Sequence, residues 1–411
     1  MLNKNIIYPQ LNKTSYILAL QHVLAMFGAT VLVPFITGMD SALALLCAGI
    51  GTLIFHFTTK KIVPVFLGSS FAFITSITII LANYSFSDLK GAIIIAGCMY
   101  IIYAIIIKIY GNDRVLKLFP PIVIGPIIMC IGLRLVPVAL SMSGYNNDKL
   151  NYESIGLALL TLFVMITISF LQKSIFRFMP IMIAIFVGYI LSLILGIVDL
   201  SKVINAPWIG LPSNTTNQLF TMPTFNLGAI FIMIPITLVT FLEHIGDIKT
   251  NGAVVGKNFA KSPGFFRTLL GDAFATMVAG FLGGPPNTTY GENTAVLAAT
   301  KNYDPRILRI SAVFAICLAF CGKITAIMQS LPTAIMGGVS LMLFALISSI
   351  GIKVMMEAKI NFNNYRNLVI PSVIIIFGVF VNNVKITDEF IISGLFLATI
   401  FGVLLNKVLP Q

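Results

Sequence analysis

Charge is what this sequence has least of. Only 10% of its 411 residues are Asp, Glu, Lys or Arg, against about a quarter in soluble domains. With 58% hydrophobic residues, a soluble chain could not cover its surface with polar groups. That excludes a soluble multidomain protein and a disordered one. The net charge of +12 could suggest a polyanionic partner, but the basic residues sit in twos and threes between long apolar runs. Nucleic-acid binding is therefore excluded as well. Catalytic and metal signatures are also missing. Cys47, Cys98, Cys130, Cys317 and Cys321 all fall inside apolar runs and form no CxxC pair, so packing is their expected role. Glu243-His244-x-x-Asp247 lacks the HExxH spacing of a zinc site, and no GxSxG, Walker A or kinase signature occurs. No metal or cofactor is expected, and neither is enzymatic activity.

What is present is a succession of apolar segments. A helix needs about 20 residues to cross the hydrocarbon, and spans are expected near 15–37, 41–59, 66–82, 90–109, 118–140, 153–172, 178–198, 226–247, 268–283, 285–300, 306–328, 333–352, 367–383 and 390–407. The run from Tyr16 to Ile36 is too long for a signal core and reads as the first span. Fourteen spans with a cytoplasmic N-terminus put 20 basic residues on the cytoplasmic side. Only Lys90, Arg134, Lys149, Lys202, Lys323 and Lys385 fall on the other. Adding or dropping a middle span would destroy this asymmetry, which the positive-inside rule requires. Both termini are thus expected inside.

Two spans read as irregular. Pro64 to Ile74 is rich in small residues, and Gly283 to Asn293 opens with two prolines that remove backbone donors. Each is the third span in a set of seven, so the second set would be inverted relative to the first. Broken segments at matching positions of two inverted halves point to a transporter's substrate site. Two unrelated kinks in a large bundle are the plainer alternative.

Four of the 14 acidic residues lie away from loops: Glu243, Asp247, Asp272 and Glu292. A carboxylate in hydrocarbon is costly and marks a cavity or a partner. Glu243 and Asp247 are four apart and share one helix face. Glu292 follows the second broken segment, where a short helix would begin with free backbone N–H groups. A carboxyl taken out of water favours its neutral form, which presents a donor and an acceptor side by side, the complement of a cyclic amide. Purely structural hydrogen bonding is the alternative for Glu243, Glu292 and Asp247, and the favoured reading for Asp272. His22 is expected to bond across helices, His56 to be structural, and His244 to point away from Glu243. An intramembrane protease would need Gly-x-Gly-Asp, which is missing.

Taken together, Gln21-His-Val-Leu-Ala-Met-Phe-Gly-Ala-Thr-Val-Leu-Val-Pro34, Gly68-Ser-Ser-Phe-Ala-Phe-Ile74, Glu243-His-Ile-Gly246, Pro286-Asn-Thr-Thr-Tyr-Gly-Glu-Asn293 and Met336-Gly-Gly-Val-Ser340 resemble the nucleobase–ascorbate transporter family, most of all its bacterial uracil-permease branch. The resemblance covers essentially the whole chain. It implies an all-α polytopic fold of 14 transmembrane segments in two inverted seven-span repeats, with short β-strands in spans 3 and 10. It implies a core domain from residues 1–110 and 222–329, and a gate domain from 111–221 and 330–411. It implies an inner-membrane secondary transporter importing uracil by proton symport, with a homodimer through the gate as a further possibility. Alternatives are a purine or xanthine permease of the same family and a proton-independent facilitator. By the same resemblance Glu243 and Glu292 would hydrogen-bond the pyrimidine, backbone groups of Phe73 and Gly291 would complete its contacts, and Tyr290 and Phe344 would line the pocket. Asp247 would join Glu243 and Glu292 in proton coupling. Three positions depart from the family's pattern: Asp247 replaces a histidine, Phe344 a pocket tyrosine, and Ala295 a glycine.

Overall fold

The computed structural model describes residues 10–146, 149–171, 179–211, 213–381, 384–385 and 391–410. Lys4, Lys173 and Arg177, and the span limits set at 172, 178, 383 and 390, lie outside them. The chain is built from helices α1 (Lys13–Thr37), α2 (Ser41–Thr58), α3 (Ile74–Asn83), α4 (Phe86–Tyr110), α5 (Asn112–Leu118), α6 (Pro121–Met142), α7 (Tyr152–Ser169), α8 (Pro180–Ile194), α9 (Ser201–Asn205), α10 (Ser213–Phe220), α11 (Leu227–Val255), α12 (Phe265–Leu282), α13 (Gly291–Thr300), α14 (Pro305–Ala319), α15 (Gly322–Gln329), α16 (Thr333–Glu357), α17 (Tyr365–Ile375) and α18 (Gly394–Val408). Three two-stranded ribbons complete it: β1 (Leu67–Ser69) with β4 (Asn287–Thr289), β2 (Tyr145–Asn146) with β3 (Lys149–Leu150), and β5 (Val384–Lys385) with β6 (Ile391–Ile392).

Among the described residues, α1, α2, α4, α6, α7, α11, α16 and the stretch Ala260–Leu282 are long and apolar enough to cross a membrane. The protein is a multi-pass membrane protein. The remaining apolar helices are shorter or interrupted: 71–83, α8, 365–380 and α18, together with α14 and α15, which meet at a bend of 77°. Three short helices, α5, α9 and α10, have only seven, five and eight residues and are too short to be read as spans.

The two segments singled out for proline and glycine meet in the interior. β1 pairs antiparallel with β4 in the register Leu67↔Thr289, Gly68↔Thr288, Ser69↔Asn287. Bonds from Ser70 N to Pro286 O (2.9 Å) and from Tyr290 N to Phe66 O (3.0 Å) extend the ladder. All six strand residues are buried, and the pairing satisfies backbone groups that lipid could not. Each strand runs directly into a helical stretch, 71–83 after β1 and α13 after β4.

α1 and α2 pack on β1, and α2, α11 and α12 on β4. α12 lies against α2 and α4, α14 against α1 and α2, and α11 against α4; α6 packs along α16, which also meets α7 and α8, with α17 and α18 on α6. α11 overshoots its expected end at 247 by two turns. Lys249, Thr250 and Asn251 continue the helix past its apolar part, and Gly256 stops it in the left-handed conformation at φ +72°, which glycine adopts without a Cβ clash.

Basic segments gather at one end of the bundle. Arg267 Nη1 bonds Thr58 O (3.1 Å) and Asn112 Nδ2 bonds Ala260 O (2.6 Å). Lys257 shares a cavity wall with Lys301, and Val254 shares one with Lys353. At the opposite end the cations serve as caps. Lys90 Nζ donates to the carbonyls of Gln218, Leu219 and Thr221 (2.5–3.2 Å), closing the end of α10. Lys323 Nζ does the same for Val203 and Ile204 (2.8 and 2.6 Å).

Candidate functional site

α11 brings Glu243 and Asp247 to one face, a turn apart. Asp247 Oδ2 accepts a 2.7 Å hydrogen bond from Thr289 Oγ1, so the last residue of β4 fixes the carboxylate. Glu243 lies within electrostatic reach of Asp247, Asp272 and Glu292. Its Oε2 is buried and has no hydrogen-bond partner among the described residues. A buried acceptor left open in this way costs free energy unless something occupies it.

Glu292 sits in the first turn of α13, and no side chain caps that helix. The backbone N–H of Glu292 bonds its own carboxylate, and the start of a helix is the arrangement that binds polar or anionic atoms. Asp247, Gly291 and Glu292 line a cavity of about 630 Å³ between α11 and α13 on one side and α16 on the other, walled by Ile347 and Ile350. Lys353 and Glu357, 3.7 Å apart, line it toward the basic end. The volume falls in the usual range for small-molecule sites.

The other expected residues are not in that lining. Phe73 and Phe344 are fully buried; Phe71 packs edge-on to Phe344 with ring centroids 6.0 Å apart, joining the turn after β1 to α16. Tyr290 packs its ring against Gly68, and its hydroxyl donates to Ser69 O at 3.0 Å. Glu243 stands a turn further along α11 from the lining residue Asp247.

A second polar group forms beside the site, where α11 meets α12. His244 Nδ1 lies 2.7 Å from Asp272 Oδ2 and its Nε2 lies 2.9 Å from Thr268 Oγ1, so His244 does turn away from Glu243. Tyr100 and Thr240 hydroxyls bond each other beside it. His22 meets Asn293, whose Nδ2 lies 3.2 Å from His22 Nδ1, the cross-helix side-chain contact expected of it, and also donates to His22 O at 3.0 Å. His56 bonds Val65 O at 2.8 Å. Thr289 and Thr268 are the contributors that sequence reading missed; Thr289's alternation with Asn287 along an extended segment was the available signal. Among the described residues no three His, Cys, Asp or Glu side chains come together as a metal site.

Helices enclosing a half-buried carboxylate cavity, fed by two interrupted segments, define a transporter of the polytopic membrane class. Solved structures share the architecture at low identity. The transmembrane domain of the cyanobacterial bicarbonate transporter BicA matches with a TM-score of 0.65 at 14% identity, covering 94% of this chain and 97% of that one. Murine Slc26a9 in the inward-facing state matches at 0.69 and 10%, covering 99% and 69%. Residues 13–387 match the Permease family, and the chain belongs to it, the nucleobase–ascorbate transporters that its motifs resemble. Similar curated proteins include the uracil permease of Bacillus caldolyticus, 43% identical over 96% of this chain and 91% of that protein. A probable uracil permease of Haemophilus influenzae is 40% identical over 97% and 95%, and the uracil permease of Escherichia coli is 39% identical over 95% and 90%.

Proposed function

We propose that this protein imports uracil across the bacterial inner membrane by proton symport. The observation that carries the reading is the cavity of about 630 Å³ in which Asp247, Glu292 and the start of α13 converge. Uracil permeases at about 40% identity over nearly the whole chain support the substrate. Glu243 and Glu292 hydrogen-bond the pyrimidine edge, backbone groups of Phe73 and Gly291 hold the opposite atoms, and Tyr290 and Phe344 shape the walls. A carboxylic acid offers the ring a donor and an acceptor together, and losing its proton removes the donor, which ties substrate affinity to proton occupancy.

In this reading fourteen spans form two inverted seven-span repeats. The β1 and β4 segments with their short helices are spans 3 and 10, and the bent α14–α15 pair is span 11. Residues 1–110 and 222–329 move as a core against a gate of 111–221 and 330–411, which also serves a homodimer contact. The basic end faces the cytoplasm with both termini.

Reconstituted vesicles test the function directly. An inward-acid pH gradient should accelerate radiolabelled uracil uptake, and a protonophore should abolish the acceleration. Uptake indifferent to the gradient would replace symport with facilitation, and competition by xanthine but not by unlabelled uracil would replace the substrate.

Asp247 is the accessory proton site. Asp247→Asn keeps an oxygen for Thr289 Oγ1 to bond, so the local fold and uracil binding should survive. The variant carries no titratable group there, and its uptake should respond differently to pH. A pH–uptake profile superimposable on the parent's would reduce Asp247 to a structural residue.

A further inference from the structure

A second cavity, of about 430 Å³, lies at the basic end, beyond the last turn of α11. Among the described residues its walls carry three lysines, Lys249, Lys257 and Lys261, and no carboxylate. Among the described residues none of the three ammonium groups has a hydrogen-bond or ion-pair partner. This contrasts with Lys90 and Lys323 at the other end, whose charges are spent on backbone carbonyls. All three lysines are exposed at its edge, and an anion seated among them would be attracted by their combined charge.

The hollow is built rather than a gap in a loose loop. Lys257 N bonds Gly252 O at 2.9 Å, and Phe259 is buried beneath. Asn112, at the start of α5, ties the rim to Ala260. That rim continues into the surface of α4, where Ile102, Ile105, Ile106 and Ile109 are exposed. Their spacing places them on one helix face, an apolar stripe suited to acyl chains. Tyr110, also exposed, ends this helix, and aromatic side chains favour the boundary between hydrocarbon and headgroups.

We propose that this cavity binds the phosphate headgroup of an anionic glycerophospholipid, with Lys249, Lys257 and Lys261 around the phosphate and the acyl chains along the α4 isoleucines. Basic pockets at the cytoplasmic boundary of membrane proteins recognise such headgroups. A lipid held here braces the end of α11, the helix that carries Glu243 and Asp247, against the segment leading from α4 into α5.

The full-length protein, purified in detergent, is titrated with phosphatidylglycerol, with phosphatidylcholine and with inorganic phosphate, following lipid adducts by native mass spectrometry and Tm. Phosphatidylglycerol should bind and raise Tm where phosphatidylcholine does not. Attraction of about 1 kcal/mol per lysine means that Lys249→Gln, Lys257→Gln and Lys261→Gln combined should weaken phosphatidylglycerol binding about a hundredfold. The lipid-free Tm and the uracil-induced shift should be kept. The set Lys60→Gln, Lys61→Gln and Lys359→Gln, at the same end but outside the cavity, should retain most of the binding. Equal stabilisation by phosphatidylcholine, an unaffected triple variant, or an equal loss in the control set would each overturn the proposal. Inorganic phosphate giving the whole shift would assign the pocket to free phosphate and overturn the lipid.

Discussion

Glu243→Gln should weaken uracil binding by about 5- to 150-fold while leaving the unliganded protein as stable as before. The expectation rests on Glu243 Oε2, a buried oxygen with no hydrogen-bond partner among the described residues. Because no internal hydrogen bond is lost, the substitution removes nothing that the fold uses. A carboxyl at this position donates or accepts as its proton demands. An amide fixes one oxygen and one NH2, and it presents a donor on one side whatever the ligand offers. Mismatching one buried polar contact costs about 1–3 kcal/mol, which gives the stated range. Isothermal titration with uracil measures the affinity, and the Tm of the ligand-free variant checks the fold. An unchanged dissociation constant would remove Glu243 from the substrate's contacts. A collapsed Tm with unchanged affinity per folded molecule would make it a structural residue instead.

The site was legible in the sequence to the extent that its chemistry is costly. Glu243, Asp247 and Glu292 stood out because charged groups are expensive in lipid, and Asp247 and Glu292 indeed line one cavity. The two interrupted segments stood out because Pro285, Pro286 and the small residues around Gly68 cannot sustain a regular helix. What the sequence did not contain was their partnership. β1 and β4 are about 220 residues apart, each is three residues long, and the register joining Gly68 to Thr288 is fixed by surrounding helices rather than by any turn. Thr289 escaped notice for the same reason, since its value lies in reaching Asp247 on α11, to which the ribbon holds it. The extension of α11 through Lys249 and Asn251 was missed because hydropathy marks where the hydrocarbon ends, whereas a helix ends where its hydrogen-bond ladder is capped. His244 was legible only by exclusion: the helical turn put it away from Glu243, and three-dimensional packing supplied Asp272 and Thr268.

Gly68→Ala should cost the protein both stability and uptake, although it adds a single methyl group. A Cβ built at Gly68 would overlap the ring of Tyr290, with the ring carbons and the hydroxyl all inside contact distance. The ring has little freedom to retreat. Its hydroxyl donates to Ser69 O and also receives a bond from Thr30 Oγ1, and its backbone N–H is bonded to Phe66 O. The methyl must therefore push the strands apart at the Gly68↔Thr288 pair, and overpacking of that kind costs about 1–3 kcal/mol. The strain falls on β4, which runs straight into Gly291 and Glu292 and holds Asp247 through Thr289. Uptake should consequently fall further than stability alone explains. Tyr290→Ala removes the obstacle but leaves a void and an unpaired Ser69 carbonyl, so it is destabilising by itself. The double variant Gly68→Ala/Tyr290→Ala should be more stable than the sum of the two single effects, because the clash exists only when both the methyl and the ring are present. Tm values for the four proteins give the coupling directly. Strict additivity would mean that Tyr290 does not press on Gly68, and that the glycine is needed there for some reason other than the closeness of the ring.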